Sequence, residues 1–198
     1  MPDEPIPTAR LFIAIRLDQA MAHALADHAA ATASPGLKPT HPDNLHLTLK
    51  FLGDTPRSMI DALADALQSA LAPVRPFNLR CTGRLLALPS PSRPRVLAAA
   101  VDPADTLADV ARRADAACRD IGLPAEARPF RPHVTLARFG RRAGPAIDAH
   151  ALASLGAPLT GLAAHAPAAS LIESTLASPR PRHRALAALP FAARGLSP

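Results

Sequence analysis

The chain has 198 residues, of which 48% are hydrophobic and 19% charged, with a net charge of +6 and a pI near 10.8. That length suits one substantial core or two small lobes sharing an interface. No apolar run approaches the roughly 20 residues of a membrane span, and two isolated cysteines, Cys81 and Cys118, make neither a disulfide framework nor a zinc knuckle.

The basic balance favours polyanionic partners such as nucleic acid or phosphorylated small molecules, although an excess of this size is also an ordinary solvated surface. Nearly all of the cationic residues are arginine, whose planar fork matches phosphate. With no Trp, no Tyr and six Phe, a nucleic-acid site built on many stacked aromatics is excluded. Residues 1–10 lack the basic-then-apolar order of a secretory leader. The expectation is therefore a cytoplasmic protein with no membrane contact and with both cysteines reduced and partly buried.

In chain order, Leu11–Leu17 reads as a first strand, and Asp18 as the N-cap of a helix reaching about Ala31 and stopped by Ser34-Pro35-Gly36. A loop through His41–Asn44 leads to a second strand beginning at His46. Thr55-Pro56 reads as N-cap and first residue of a second helix, with the stripe Ile60, Leu63, Leu67, Leu71. Phe77–Leu88 and Arg95–Val101 read as strands joined by the proline-rich segment Pro89–Pro94. Asp102-Pro103 opens a third helix with the stripe Leu107, Val110, Ala114, Ala117/Cys118, Ile121, stopped by Gly122. Pro124–Pro132 is a basic, proline-rich approach to a strand at His133. A short helix near His150–Leu155 and strands near Ala168–Leu176 and Arg184–Phe191 complete the chain. Strands and helices mix without strict βαβ alternation, which indicates an α+β fold in one domain spanning 1–198.

One octet occurs twice. His46-Leu47-Thr48-Leu49-Lys50-Phe51-Leu52-Gly53 is echoed 87 positions later by His133-Val134-Thr135-Leu136-Ala137-Arg138-Phe139-Gly140. Residues i and i+2 of a strand share a face. Each octet therefore presents an imidazole and a hydroxyl on one side and aliphatic residues on the other. Two such strands facing one another would set two proton-transfer groups and two hydroxyl donors across a cleft. One imidazole could act as general base and the other as general acid. Thr48 and Thr135 would donate to the oxygens of a bound phosphate, and Arg138 would meet the charge that builds on them. This set favours metal-free hydrolysis of a phosphodiester, or its reversal, above all of a strained cyclic ester. A duplicated structural strand and a metal site are the competing readings. Two histidines with no clear carboxylate or cysteine partner fall short of a usual zinc set.

Arg10–Ile15, Asn44–Gly53 and Arg128–Arg138 resemble the 2H phosphoesterases, and within them the RNA 2′,3′-cyclic phosphodiesterase branch, also called the 2′-5′ RNA ligase family. Pro89–Val96, Leu171–Ser174 and Leu189–Phe191 extend the resemblance over nearly the whole chain. The resemblance implies a bilobal α+β fold. Two antiparallel sheets would be related by a pseudo-two-fold, each lobe contributing one His-x-Thr strand to a central cleft, with helices packed outside. It further implies opening of an RNA 2′,3′-cyclic phosphate to a 2′-phosphomonoester without metal or cofactor. In that scheme His46 protonates the departing 3′-oxygen and His133 activates water; the residues alone leave this assignment open. Phe51 would stack on a base or pack in the core, and Phe12 is expected in the core. RNA ends or small nucleotides bearing a 2′,3′-cyclic phosphate are the expected partners, acted on by a monomer. RNA 2′-5′ ligation, hydrolysis of a small cyclic nucleotide, and RNA-end capture without catalysis are the alternatives. Where the family usually carries Tyr after Arg on its last strand, this chain has Arg182-His183-Arg184, and His183 is expected at the surface. Arg93, Arg95 and Arg131 are candidate rim charges.

Overall fold

A computed structural model of the chain describes residues 6–32, 36–140, 144–177 and 180–192. The first five residues and two of the three residues expected to stop the first helix, Ser34 and Pro35, lie outside that set. The elements run β1 (Thr8–Arg16), α1 (Gln19–Ala31), β2 (Leu37–Pro39), β3 (His46–Pro56), α2 (Ile60–Leu71), β4 (Phe77–Leu88), β5 (Val96–Asp102), α3 (Ala104–Asp120), β6 (His133–Phe139), α4 (Ala149–Gly156), β7 (Ala163–Ala166), β8 (Ala168–Thr175) and β9 (Arg182–Pro190). Short 3-10 turns precede β3 and α2 and follow α4. The α+β class, with its strands antiparallel, is what the chain adopts.

Local chemistry explains most boundaries. The Asp18 carboxylate accepts from the Met21 amide at 2.8 Å, capping α1. Gly122, at φ +86°, terminates α3 in the left-handed region, with its amide and that of Leu123 closing on the carbonyls of Arg119 and Cys118. Thr55-Pro56 does not start a helix. β3 runs on to Pro56 because β1 supplies partners all the way to Thr8, and Thr55 is buried opposite Ala9. The helix begins only after the turn Arg57–Met59, with no side-chain cap.

Among the described residues nine strands form one sheet rather than the two expected, in the order β7-β4-β5-β6-β3-β1-β8-β9, with β2 on the far end of β6, because β6 and β3 pair and join the halves. Leaving aside β2, four strands lie on each side of a seam between β6 and β3, and a single residue pair, Leu47 opposite Val134, closes it. One face carries Leu11, Ile13, Ile15, Leu47, Leu49, Leu97, Val134 and Leu136 into the main core, together with Leu63, Leu67 and Leu71 of α2 and Leu107, Val110 and Ala114 of α3. The helix stripes expected from the sequence are thus the buried faces. Both cysteines are free and fully buried, and burial pushes each thiol up to about 11. They are inert in that state. No helix among the described residues is long and apolar enough to cross a membrane.

Buried charges tie the elements together. Lys50, 3% exposed, reaches through the core side to the Asp115 carboxylate of α3 at 2.5 Å and the Pro124 carbonyl at 2.8 Å. Glu173 of β8 accepts from Arg57 and, at 2.7 Å, from Arg184.

The packing of α4 on β4 is tight enough to test. A Cβ on Gly156 would sit 2.2 Å from the Gly83 carbonyl oxygen. Backbone cannot yield as a side-chain end would, so Gly156→Ala is expected to destabilise the protein by about 1–3 kcal/mol. Urea unfolding measures this, and an unchanged midpoint would mean that α4 sits looser on the sheet.

Candidate active site

The seam decides where the two octets go. With Leu47 opposite Val134, the antiparallel register sets His46 across from Thr135 and Thr48 across from His133. Leu47 and Val134 point into the core, so all four polar side chains emerge on the opposite, open face. His46 and His133 then occupy a diagonal of the cross-strand ladder, where neighbours are about 7–8 Å apart. All four residues are half-buried.

Each motif strand carries a β-bulge at the same place. Along β3, Ile13 pairs with Lys50 and Ala14 with Thr48, leaving Leu49 extra. Along β6, Leu97 pairs with Ala137 and Ala98 with Thr135, leaving Leu136 extra. A bulge shifts the side-chain alternation by one residue. The fifth residue after each histidine, not the fourth, therefore joins the open face: Phe51 on β3 and Arg138 on β6. The fourth residues, Lys50 and Ala137, turn to the core side. Phe51 is 55% exposed, so it lies outside the core. Lys38 of β2 lies across from Arg138 and adds a second cation at that end.

The neighbours on this face are small. Ala14 lies across from Thr48, Ala98 from Thr135 and Ala100 from His133. Their methyl groups leave the space above the His/Thr quartet unfilled. No periodicity in the sequence singles out these alanines.

Both imidazoles are held in the same way. His46 Nδ1 donates to the carbonyl of Asn44 at 2.7 Å, and His133 Nδ1 donates to the carbonyl of Arg131 at 2.6 Å. A carbonyl can only accept, so each neutral ring carries its proton on Nδ1 and leaves Nε2 free to exchange one. The environment disfavours the charged form. For His46, burial is the largest effect, the Asn44 hydrogen bond opposes it, and the charges of His183, Arg138 and His133 add to it; the result is a pKa of about 4. For His133, burial lowers the pKa and the bond to Arg131 opposes, with Arg138 and Arg131 adding to the fall.

One expectation needs correction and another is refined. Phe12 is buried in hydrophobic packing as expected, 4% exposed, but in a cluster apart from the main one. With Ala14 and Ile172 it forms a small separate cluster under the open face, and its ring lies 4.8 Å from His46 and 6.2 Å from Phe51 between centroids. Strand parity explains this, because Phe12 alternates with Leu11 and Ile13, which the core takes. His183 is not at the surface. It is half-buried on β9, across from Ser174, with its ring 5.0 Å from Phe12 and 5.3 Å from His46. Of the candidate rim arginines, Arg131 touches the site through its carbonyl and its charge on His133.

Comparison with known proteins follows the duplicated pattern. The LigT-like phosphoesterase family matches twice, over residues 15–98 and 99–183, one match holding each His-x-Thr strand. An RNA 2′,3′-cyclic phosphodiesterase of Geobacillus stearothermophilus is 31% identical over 151 residues, 75% of this chain. The chain spans about half of that relative, 48% of its length. An RNA 2′,3′-cyclic phosphodiesterase of Methanothermobacter thermautotrophicus is 30% identical over 142 residues, covering 69% of this chain and 72% of the relative. The crystal structure of E. coli LigT complexed with 3′-AMP superposes with a TM-score of 0.77 at 25% identity, over 93% of this chain and 99% of that one.

Proposed function

Because the chain belongs to the LigT-like phosphoesterase family, we propose that it hydrolyses the 2′,3′-cyclic phosphate at RNA ends to a 2′-phosphomonoester by paired-histidine acid–base catalysis. The observation that carries this reading is the quartet on the open face: two imidazoles on adjoining antiparallel strands, each anchored through Nδ1 to the carbonyl two residues back, each with Nε2 free. Capture of an RNA end alone would need donors but not two groups poised to exchange protons.

In this reading the cyclic phosphate lies between the strands, with Thr48 and Thr135 donating to its non-bridging oxygens and Arg138 facing the charge that grows on them. Phe51 offers its exposed ring to the base. Neutral His133 takes a proton from water through Nε2 as the water oxygen bonds to phosphorus. The P–O3′ bond breaks, and protonated His46 gives its Nε2 proton to the departing 3′-oxygen. The product carries a 2′-phosphate and a 3′-hydroxyl. Both histidines come from one chain, so a monomer suffices. In this reading the two imidazoles do the proton transfer and no step calls on a metal.

The acid must first acquire its proton. Burial and the neighbouring charges hold both imidazoles below the ordinary histidine value, so in the free enzyme the singly protonated pair is most populated below pH 6.5. A bound phosphate anion opposes Arg138 and raises both. The kcat/KM profile, which follows the free enzyme, should therefore be a bell centred below pH 6.5, and the kcat profile should lie at higher pH. A rate that only climbs with pH would count against the pair.

The deciding experiment is product analysis. An oligonucleotide ending in a 2′,3′-cyclic phosphate, incubated with the enzyme in EDTA, should yield the 2′-phosphomonoester alone. A 3′-phosphate product, or a rate lost in EDTA and restored by zinc, would overturn the reading.

A further inference from the structure

The open face holds a third imidazole to which the reaction above gives no task. His183 lies on the last strand, 137 residues from His46 in sequence. Its ring meets His46 at 5.3 Å and 73°, edge to face, and meets Phe12 at 5.0 Å and 68°. Phe12 meets His46 from a second side, at 4.8 Å and 32°. The catalytic ring is thus bounded by two others and tethered at Nδ1 by Asn44. We infer that His183 is a positioning residue: with Phe12 it clamps the His46 imidazole in the orientation that presents Nε2 to the phosphate. This inference rests on the proposed role of His46.

The construction of β9 supports a dedicated placement. A register shift between β8 and β9 lies just beyond this point, where Leu171 pairs with Ala187 but Ile172 pairs with Ala185. His183 therefore shares the open face with Ile172, which belongs to the Phe12 cluster. Arg184, the next residue, turns away to Glu173 at 2.7 Å. The Asn44 side chain donates to the Pro181 carbonyl at 2.9 Å, so the turn that tethers His46 also holds the start of β9. His46, His183, Ile172, Arg16 and Asp43 line one small cavity beside the rings.

A ring so close also acts through charge. His46 and His183 repel when both are protonated, so each suppresses protonation of the other. The other charged groups facing the pair are His133 and Arg138 of β6, Arg16 of β1 and Asp43 of the turn before β3. Asp43, the only carboxylate among them, already faces His41 at 3.3 Å and Arg180 at 3.8 Å. Arginine and histidine thus dominate. Removing His183 both opens the site to water and removes a repulsion, and both effects favour protonated His46.

His183→Ala and His183→Phe separate the clamp from a merely structural role. The Ala variant releases the ring and should lower kcat by about 10- to 100-fold, the scale of small misplacements at a reacting centre, with KM little changed. Its His46 ring resonance, followed by NMR in the empty enzyme, should titrate at higher pH than in the native protein. The Phe variant keeps the contact without a titrating group and should recover most of kcat. The NMR arm needs no substrate, so it stands even if the substrate assignment fails. Native kcat in the Ala variant would overturn the inference. So would equal losses in the Ala and Phe variants, or an unmoved His46 titration.

Discussion

His46→Ala and His133→Ala will each slow hydrolysis of an RNA 2′,3′-cyclic phosphate by about 10²–10⁴-fold, the range that a positioned acid or base supplies. Each ring emerges on the open face and makes one side-chain hydrogen bond, to a backbone carbonyl two residues away. His133→Ala removes no ring contact and should leave the unfolding midpoint near native, whereas His46→Ala also gives up the ring contacts with Phe12 and His183 and should lower it modestly. Affinity for a 2′-phosphorylated product should also survive, because Thr48, Thr135 and Arg138 remain. The two losses should not add. Once one proton-transfer partner is gone the other has nothing to complete, and the double variant should be about as slow as the slower single. Single-turnover rates with saturating enzyme measure all three. Native turnover in either single variant would dismantle the acid–base pair.

Asp115→Ala will be the most damaging substitution to stability outside the hydrophobic core. The Lys50 side chain is 3% exposed, and among the described residues Asp115 is its carboxylate partner, at 2.5 Å. Burial alone would raise the Asp115 carboxyl. The Lys50 hydrogen bond and the Glu126 amide more than reverse that and hold it below its ordinary value. Removing the carboxylate strands a cation in the interior, at a cost of about 3–5 kcal/mol. Lys50→Met should cost less, because the remaining carboxylate is 26% exposed and still has the Glu126 amide and Arg119, at 3.7 Å. The Lys50→Met/Asp115→Ala double variant should recover part of the larger loss. Urea midpoints read all three, and a loss under about 1 kcal/mol for Asp115→Ala would show that water reaches the ammonium.

What the sequence disclosed depended on periodicity. The His-x-Thr octets were legible because two polar residues at i and i+2, framed by aliphatics, can only mean one wet face and one dry one. The stripes of α2 and α3 were legible for the matching reason at helical spacing. The bulges at Leu49 and Leu136 were not, since neither uses glycine or any other residue that marks a break in alternation. Without them Lys50 and Phe51 exchange faces, which is why the first had no assigned place and the second was divided between base and core. The burial of Phe12 is legible from its apolar strand, but not which of the two faces takes the ring, because an apolar residue among apolar neighbours gives no sign of the open side. His183 was hidden by its flanking arginines, which make a surface pattern of a strand whose middle residue turns inward. β2 and β7, with three and four residues, are too short for any repeat to register.

The matched bulges also have a directional consequence. Two identical arms would let a nucleotide enter either way round, with its leaving group toward either ring. The arms differ at the one extra position their kinks expose: a flat hydrocarbon surface ends one, and a fixed cation ends the other. A ligand with an aromatic head and an anionic tail can satisfy both ends only in a single polarity. On the proposed function, a local twist in the backbone would thus turn a repeated motif into a one-way cradle.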